Sequence, residues 1–216
     1  MGGLIGYQVL NQVSPARHRQ EGPLYDYVLG SNGVFLQARS ERLAVSLPIA
    51  PAREPLRGLN PVIETFHMNT PKVPHSLLAC LLQRAGQWAE VQKEVLFHLP
   101  YSPVYPVFEG WAMQEPAQIR TAVSCRPTED GLGSSHDRAL IELHSHHGMP
   151  AQFSRQDDQD ETGFRIYVVI GDYPHWKINV RVGVYGHFWP IPARLVFEDY
   201  GQIDDVNARK TGGSHD

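Results

Sequence analysis

The sequence has only two cysteines in 216 residues, Cys80 and Cys125. Two thiols cannot build a disulfide framework. Their positions suggest packing roles, Cys80 on an apolar helix face and Cys125 in a strand. No apolar run approaches the ~20 residues that span a bilayer. The opening stretch, Met1-Gly2-Gly3-Leu4-Ile5-Gly6, lacks both a basic segment and a long apolar one, so it does not read as a signal peptide. Gly2 suits myristoylation, but Gly6 stands where that signal wants Ser or Thr. A cytoplasmic protein with no membrane partner is expected. Excess charge is missing too: 19 Lys+Arg stand against 23 Asp+Glu, a net charge of −4. That balance argues against direct nucleic-acid binding. With 42% hydrophobic residues the chain can bury a core and is not of the disordered class. Internal repeats and low-complexity tracts are absent as well.

What the sequence does have is turns and histidine. Its 19 Gly and 17 Pro predict many short elements and exclude a helical bundle. Residues 1–70 read as a β-rich N-terminal extension, with strands at Tyr25–Leu29, Val34–Gln37 and Leu43–Leu47. Ser31-Asn32-Gly33 is a hairpin signal, because Asn-Gly accepts positive φ. Pro48, Pro51, Pro55 and Pro61 then predict an irregular stretch. The clearest helix covers 74–89, where Leu77, Leu78, Leu81, Leu82, Ala85, Trp88 and Ala89 share one face. Further strands are predicted at 94–99, Trp111–Met113, Gln118–Cys125, Ala139–His144, Arg165–Gly171, Trp176–Tyr185 and Leu195–Phe197. Glu129–Asp137 is polar and reads as a loop. Residues 71–200 form the main domain and 201–216 a polar tail, frayed from about Asn207. The element order gives a mixed α/β (α+β) domain built on a largely antiparallel sheet.

Of 11 histidines, three fall inside four residues: His144, His146 and His147. The stretch runs His144-Ser145-His146, then seven residues, then Ser154, two residues and Asp157. Two imidazoles at i and i+2 leaving a strand point to the same side of an extended chain. Their lone pairs can converge on one ion, and a carboxylate near the start of a following helix can return to it. Two His and one carboxylate with a fourth position left to water is a catalytic zinc set, whereas a structural site would close the tetrahedron with protein ligands. Asp158, next to Asp157, competes as the ligand.

Each residue also has a plainer reading. Ser154-x-x-Asp157 is a helix-capping pattern, and Asp157 is also a favourable first-turn acid. Asp158, Asp160 and Glu161 read as a solvated helix face. His98 reads as a surface residue. Cys125 has no surrounding signature of a nucleophile.

This spacing resembles the motif of the JAMM (MPN+) zinc metalloproteases and their prokaryotic, JAB-like relatives: a glutamate upstream of His-Ser/Thr-His, seven residues, Ser, two residues, Asp. The resemblance covers residues ~71–200. It implies an MPN-like, largely antiparallel sheet flanked by helices. It also implies a zinc isopeptidase that releases ubiquitin or a ubiquitin-like protein from its conjugates. In that reading His144, His146 and Asp157 hold Zn2+ with water as fourth ligand. Glu94, 50 positions before His144 at the head of a strand, is the catalytic base. Ser154 stabilises the oxyanion. Glu90 competes with Glu94, and Glu109, Glu115 and Glu142 are weaker choices.

The chain departs from the family pattern in two places, one of them Leu143, before the motif, where an aromatic or small residue is common. His147 stands where Pro usually follows the second histidine, and Pro150 comes three residues later. A finer resemblance is to the JAMM-like A proteins of PRTRC cassettes, which also encode ParB-related and ThiF-related proteins. It rests on Glu94-Val95-Leu96-Phe97-His98, Glu115-Pro116-Ala117-Gln118 and Phe153 through Tyr167. It implies a ThiF/E1-like partner beside the ubiquitin-like substrate. The alternative is a non-catalytic MPN-type scaffold, whose members usually lose metal ligands.

Overall fold

In a computed structural model the described residues are 5–10, 24–129 and 132–208. The chain divides into two compact units, Met1–Thr70 and Pro71–Asp216.

The first unit is one sheet with its strands in chain order: β1 (Ile5–Val9), β2 (Tyr25–Gly30), β3 (Gly33–Arg39), β4 (Leu43–Pro51) and β5 (Thr65–Met68). β1 is parallel to β2, and the other pairs are antiparallel. The hairpin signal works through two different residues. Asn32 acts through its amide, which accepts from Val62 N–H and donates to Val62 C=O. The positive φ falls on Gly33, at +133°. A Cβ there would lie 2.2 Å from Ala50 O, so only glycine fits.

The expected break at Pro48 is corrected, since β4 runs on to Pro51. The register shifts between Val34 and Phe35 opposite this proline, and a bulge is where a strand tolerates a missing N–H. β1 and β5 went unpredicted: both are short, and neither has a buried position.

The second unit opens with α1 (His75–Ala89), whose Leu77, Leu78, Leu81 and Ala85 are buried. β6 (Leu96–Leu99), the hairpin pair β7 (Gln118–Arg120) and β8 (Cys125–Pro127), and the short α2 (Ser135–Arg138) follow. Next come β9 (Ile141–Ser145), α3 (Arg155–Asp160), β10 (Phe164–Gly171), β11 (Lys177–Val184), β12 (His187–Ile191) and β13 (Asp204–Asp205).

The main sheet has the order β12-β11-β10-β9-β6, with β13 paired to β11. Its β6–β9, β10–β11 and β11–β12 pairs are antiparallel. The fold is thus the expected α+β class with a mostly antiparallel sheet. The exception that matters is β9–β10, which is parallel. Parallel neighbours need a crossover, and this one, residues 146–163, carries most of the chemistry-bearing motif.

Several local expectations are corrected. Trp111 makes only an isolated bridge to Tyr101, in place of a strand. The predicted strand 118–125 is broken by a tight turn, closed by Thr121 N–H donating to Ser124 O. No Gly, Pro or Asn marks that turn. The predicted loop 129–137 holds α2, capped by Ser134. Leu195–Phe197 is a 3-10 turn at Ala193–Leu195 followed by a bridge from Phe197 to Val73. Asn207 is buried, and its amide donates to Asn179 Oδ1 and Val180 O, so the fraying expected there does not begin at that residue. Residues 209–216 of the predicted tail lie outside the described residues.

Candidate metal centre

β9 delivers His144 at its penultimate position, paired with Leu96 on one side and Val169 on the other. His146 follows just past the strand and is still anchored to it, its N–H donating to Ile170 O at 2.7 Å. The two-residue spacing puts both rings on one side, with their Nε2 atoms 3.1 Å apart. His146 Nδ1 lies 3.0 Å from Pro150 O. That carbonyl can only accept, so Nδ1 carries the proton and Nε2 is left as a lone pair. The displaced proline of the motif therefore orients a ring. The loop 149–151 folds tightly over the end of β10, where a Cβ on Gly171 would lie 2.5 Å from Met149 O.

The chain returns through α3. Ser154 caps it in a full capping box: its Oγ accepts from Asp157 N–H, and its own N–H donates to Asp157 Oδ2. Asp157 is thereby fixed with Oδ1 3.4 Å from His144 Nε2 and Oδ2 3.9 Å from His146 Nε2. One ligand atom each from His144, His146 and Asp157 fits within a 4.8 Å cluster. Glu94 lies in the approach to β6. Its own N–H donates to Thr121 O, while Val95 and Ser145 exchange hydrogen bonds beside it. Its carboxylate is 3% exposed, and Oε1 is 3.9 Å from His146 Nε2. The fold thus gathers Glu94, His144, His146, Ser154 and Asp157 at one end of the sheet.

The competing residues point elsewhere. Asp158 accepts from Arg181. His147 turns outward, with Nδ1 accepting from Gly148 N–H and Nε2 donating to Ala122 O. Glu90 is exposed at the end of α1, Glu109 is exposed, and Glu115 pairs with Arg84 and Arg120. Glu142 shares a face with His144, yet its carboxylate turns to His136, Arg165 and His98.

Residues 82–182 match the family model described as prokaryotic homologs of the JAB domain. This part of the chain is similar to the JAB family. The match runs from within α1 into β11 and contains all five gathered residues. No curated protein matches the chain.

The electrostatics of this centre follow from burial. Burial first, then the negative Asp157, push the Glu94 carboxyl up to about 8. Burial takes the His144 ring down to about 4, so it is neutral near pH 7. For Asp157 burial alone would raise the pKa, but His144 and the Ser154 hydrogen bonds outweigh it and hold the carboxyl low. Burial, Glu94 and Asp157 together push the Cys125 thiol up, away from thiolate character.

These shifts set a pH dependence for the metal-stripped protein. Folded Glu94 keeps a proton that the unfolded chain releases above 4.5, so its stabilisation is present below pH 4.5 and is lost as pH rises to about 8. The ceiling on that loss is ~5 kcal/mol at 1.36 kcal/mol per pH unit. His144 works in the opposite direction, its stabilisation being lost as pH falls from 6.5 to about 4. We expect the metal-stripped wild type to lose stability relative to Glu94→Gln as pH rises through this upper window, read as the difference in urea midpoints. A pH-independent difference would contradict it.

Sequence reasoning missed Arg181. It sits buried in β11 among Val180 and Val182, with its guanidinium 3.8 Å from the rings of both Phe153 and Phe188. It donates to Glu161 and Asp158; Glu161 is only 4% exposed, which corrects its reading as part of a solvated face, whereas Asp158 is exposed as expected. A charge inside an apolar strand was the available signal, since it demands a buried partner. Arg181 ties α3, and with it Asp157, to the sheet. Arg181→Met should cost ~3–5 kcal/mol, the usual penalty for stranding a buried charge. Adding Glu161→Gln should recover part of it; a double variant no more stable than the single one, by urea denaturation, would refute this account.

Proposed function

We propose that the JAB-like domain is a zinc-dependent peptidase of the isopeptidase class. Its substrate is an amide bond at the tail of a ubiquitin-like protein or in its conjugate, and a ThiF/E1-like protein is its functional companion. The observation that carries the reading is Glu94, a buried carboxyl 3.9 Å from His146 Nε2 that stands beside three convergent ligand atoms without being one of them. That is the arrangement of a base next to a metal.

The residues fit zinc on their own chemistry. Two buried imidazole nitrogens 3.1 Å apart, one of them a lone pair by its Pro150 contact, face a carboxylate. Nitrogen and oxygen donors of this kind suit zinc, and three protein ligands leave a position for water. When bound there, zinc would supply the Lewis acidity that makes water nucleophilic near neutral pH. Glu94 accepts the water's proton and returns it to the departing amine, a lysine ε-amino group or a backbone nitrogen. Ser154 Oγ accepts in the helix cap, which leaves its O–H free to donate to the developing oxyanion. Asp157 would hold the ion through one oxygen while the other keeps the cap.

The test is cleavage by the full chain of isopeptide-linked and linear fusions of a ubiquitin-like protein. Cleavage that chelator abolishes and zinc restores is expected. A zinc-loaded chain that cuts neither substrate would leave a scaffold role instead.

A further inference from the structure

We propose that His98, His136 and Glu142 form a second divalent-metal site, of the zinc class, in the same domain. His98 on β6 stands directly opposite Glu142 on β9 in the strand register. Its ring is fully buried, contrary to the surface position expected from sequence. His98 Nδ1 is engaged with Ser135 Oγ at 2.8 Å, while Nε2 has no hydrogen-bond partner and lies 4.0 Å from Glu142 Oε2. His136 Nδ1 is 3.2 Å from the same oxygen and is likewise without a well-aligned hydrogen bond. One ligand atom from each of the three fits within 4.8 Å.

The spacing matches that of the first centre, whose nitrogen and oxygen atoms stand 3.1, 3.4 and 3.9 Å apart. Zinc bonds of ~2.0–2.2 Å place neighbouring ligands at about these separations. A buried imidazole nitrogen left 4.0 Å from a carboxylate oxygen is too far for a hydrogen bond and costs desolvation without return. A cation between them removes that cost. Ser135 on the far nitrogen of His98 is the outer contact that orients a ligating ring. Two nitrogens and one oxygen favour zinc over calcium or magnesium, which take oxygen ligands.

Arg165 Nη1, 3.4 Å from Glu142 Oε2 and 2.7 Å from His136 O, competes for the same carboxylate. The second site is therefore the weaker of the two. Its ion would join β6, β9 and the short α2.

Zinc titration of the metal-stripped full chain by equilibrium dialysis, with bound metal counted per chain, tests this independently of peptidase activity. Wild type should take up two equivalents, the second at higher free zinc. His136→Ala should take up one and keep the tighter phase; Asp157→Ala should keep only the weaker phase. His136 is partly exposed, so its loss spares the core, and His136→Gln repeats the count in a side chain of similar reach. Identical zinc binding by wild type and both His136 variants overturns the second site, whatever the state of the first.

Discussion

Glu94→Gln is expected to keep its zinc and to lose about 10²-fold or more in the rate of amide cleavage, the scale of a lost general base. The amide has the shape of the carboxylate but cannot take a proton. Glu94 lies outside the ligand cluster, so metal content should be unchanged. A purely structural role would not produce this pattern. Removing a buried carboxyl that burial pushes up to about 8 should stabilise the metal-stripped fold above pH 4.5, not weaken it. The variant is therefore inactive and more stable. A metal ion alongside favours the carboxylate and lowers its pKa, so the acid limb of kcat/KM in the zinc-loaded wild type should lie below pH 8 and vanish in the variant. Cleavage by Glu94→Gln at the parent rate would show that another group moves the proton.

The parts of the site legible in the sequence were those governed by local rules. His144 and His146 face one way because an extended chain alternates, and Ser154 caps a helix because Ser-x-x-Asp is a capping pattern at any address. Glu94 was picked out by the family resemblance, from its place just after an amphipathic helix at the head of a strand. The parts that were not legible depend on what lies across the sheet. His98 alternates with apolar residues, which suggested solvent, but every residue of β6 is buried. A strand covered on both faces gives alternation no meaning. Arg181 and Glu161 are 20 residues apart and meet only because β11 passes behind α3. The turn at 121–124 is held by Thr121 and Ser124 hydroxyls and backbone, chemistry that leaves little trace in residue type. Glu142, a weaker choice of base that shares a face with His144, is drawn aside by His136 and Arg165, groups whose proximity only the fold creates.

The ligand set yields the second large effect. His144→Ala and Asp157→Asn are each expected to lower zinc affinity by more than ~10²-fold, beyond the 10–100-fold that loss of an outer contact costs, and to abolish cleavage with it. The two should differ in stability, which separates a lost ligand from a damaged fold. His144 is buried and packs edge-on against Phe153, so its truncation opens a cavity and should cost about 2–5 kcal/mol in the stripped protein, by analogy with other large-to-small core changes. Asp157→Asn keeps an oxygen for the Ser154 N–H, so the cap survives, whereas Asp157→Ala should lose about 1 kcal/mol of capping. Asn also removes the negative charge that raises the Glu94 pKa, which offsets part of the stability lost with the low-pKa Asp157 carboxylate, so the stripped Asp157→Asn protein should be more stable than stripped Asp157→Ala near pH 8. Loss of zinc from Asp157→Asn, whose cap is intact, therefore identifies Asp157 as a ligand and not merely a capping residue. Wild-type zinc content in both His144→Ala and Asp157→Asn, measured after dialysis against the same free zinc, would remove the metal centre and the hydrolytic reading together.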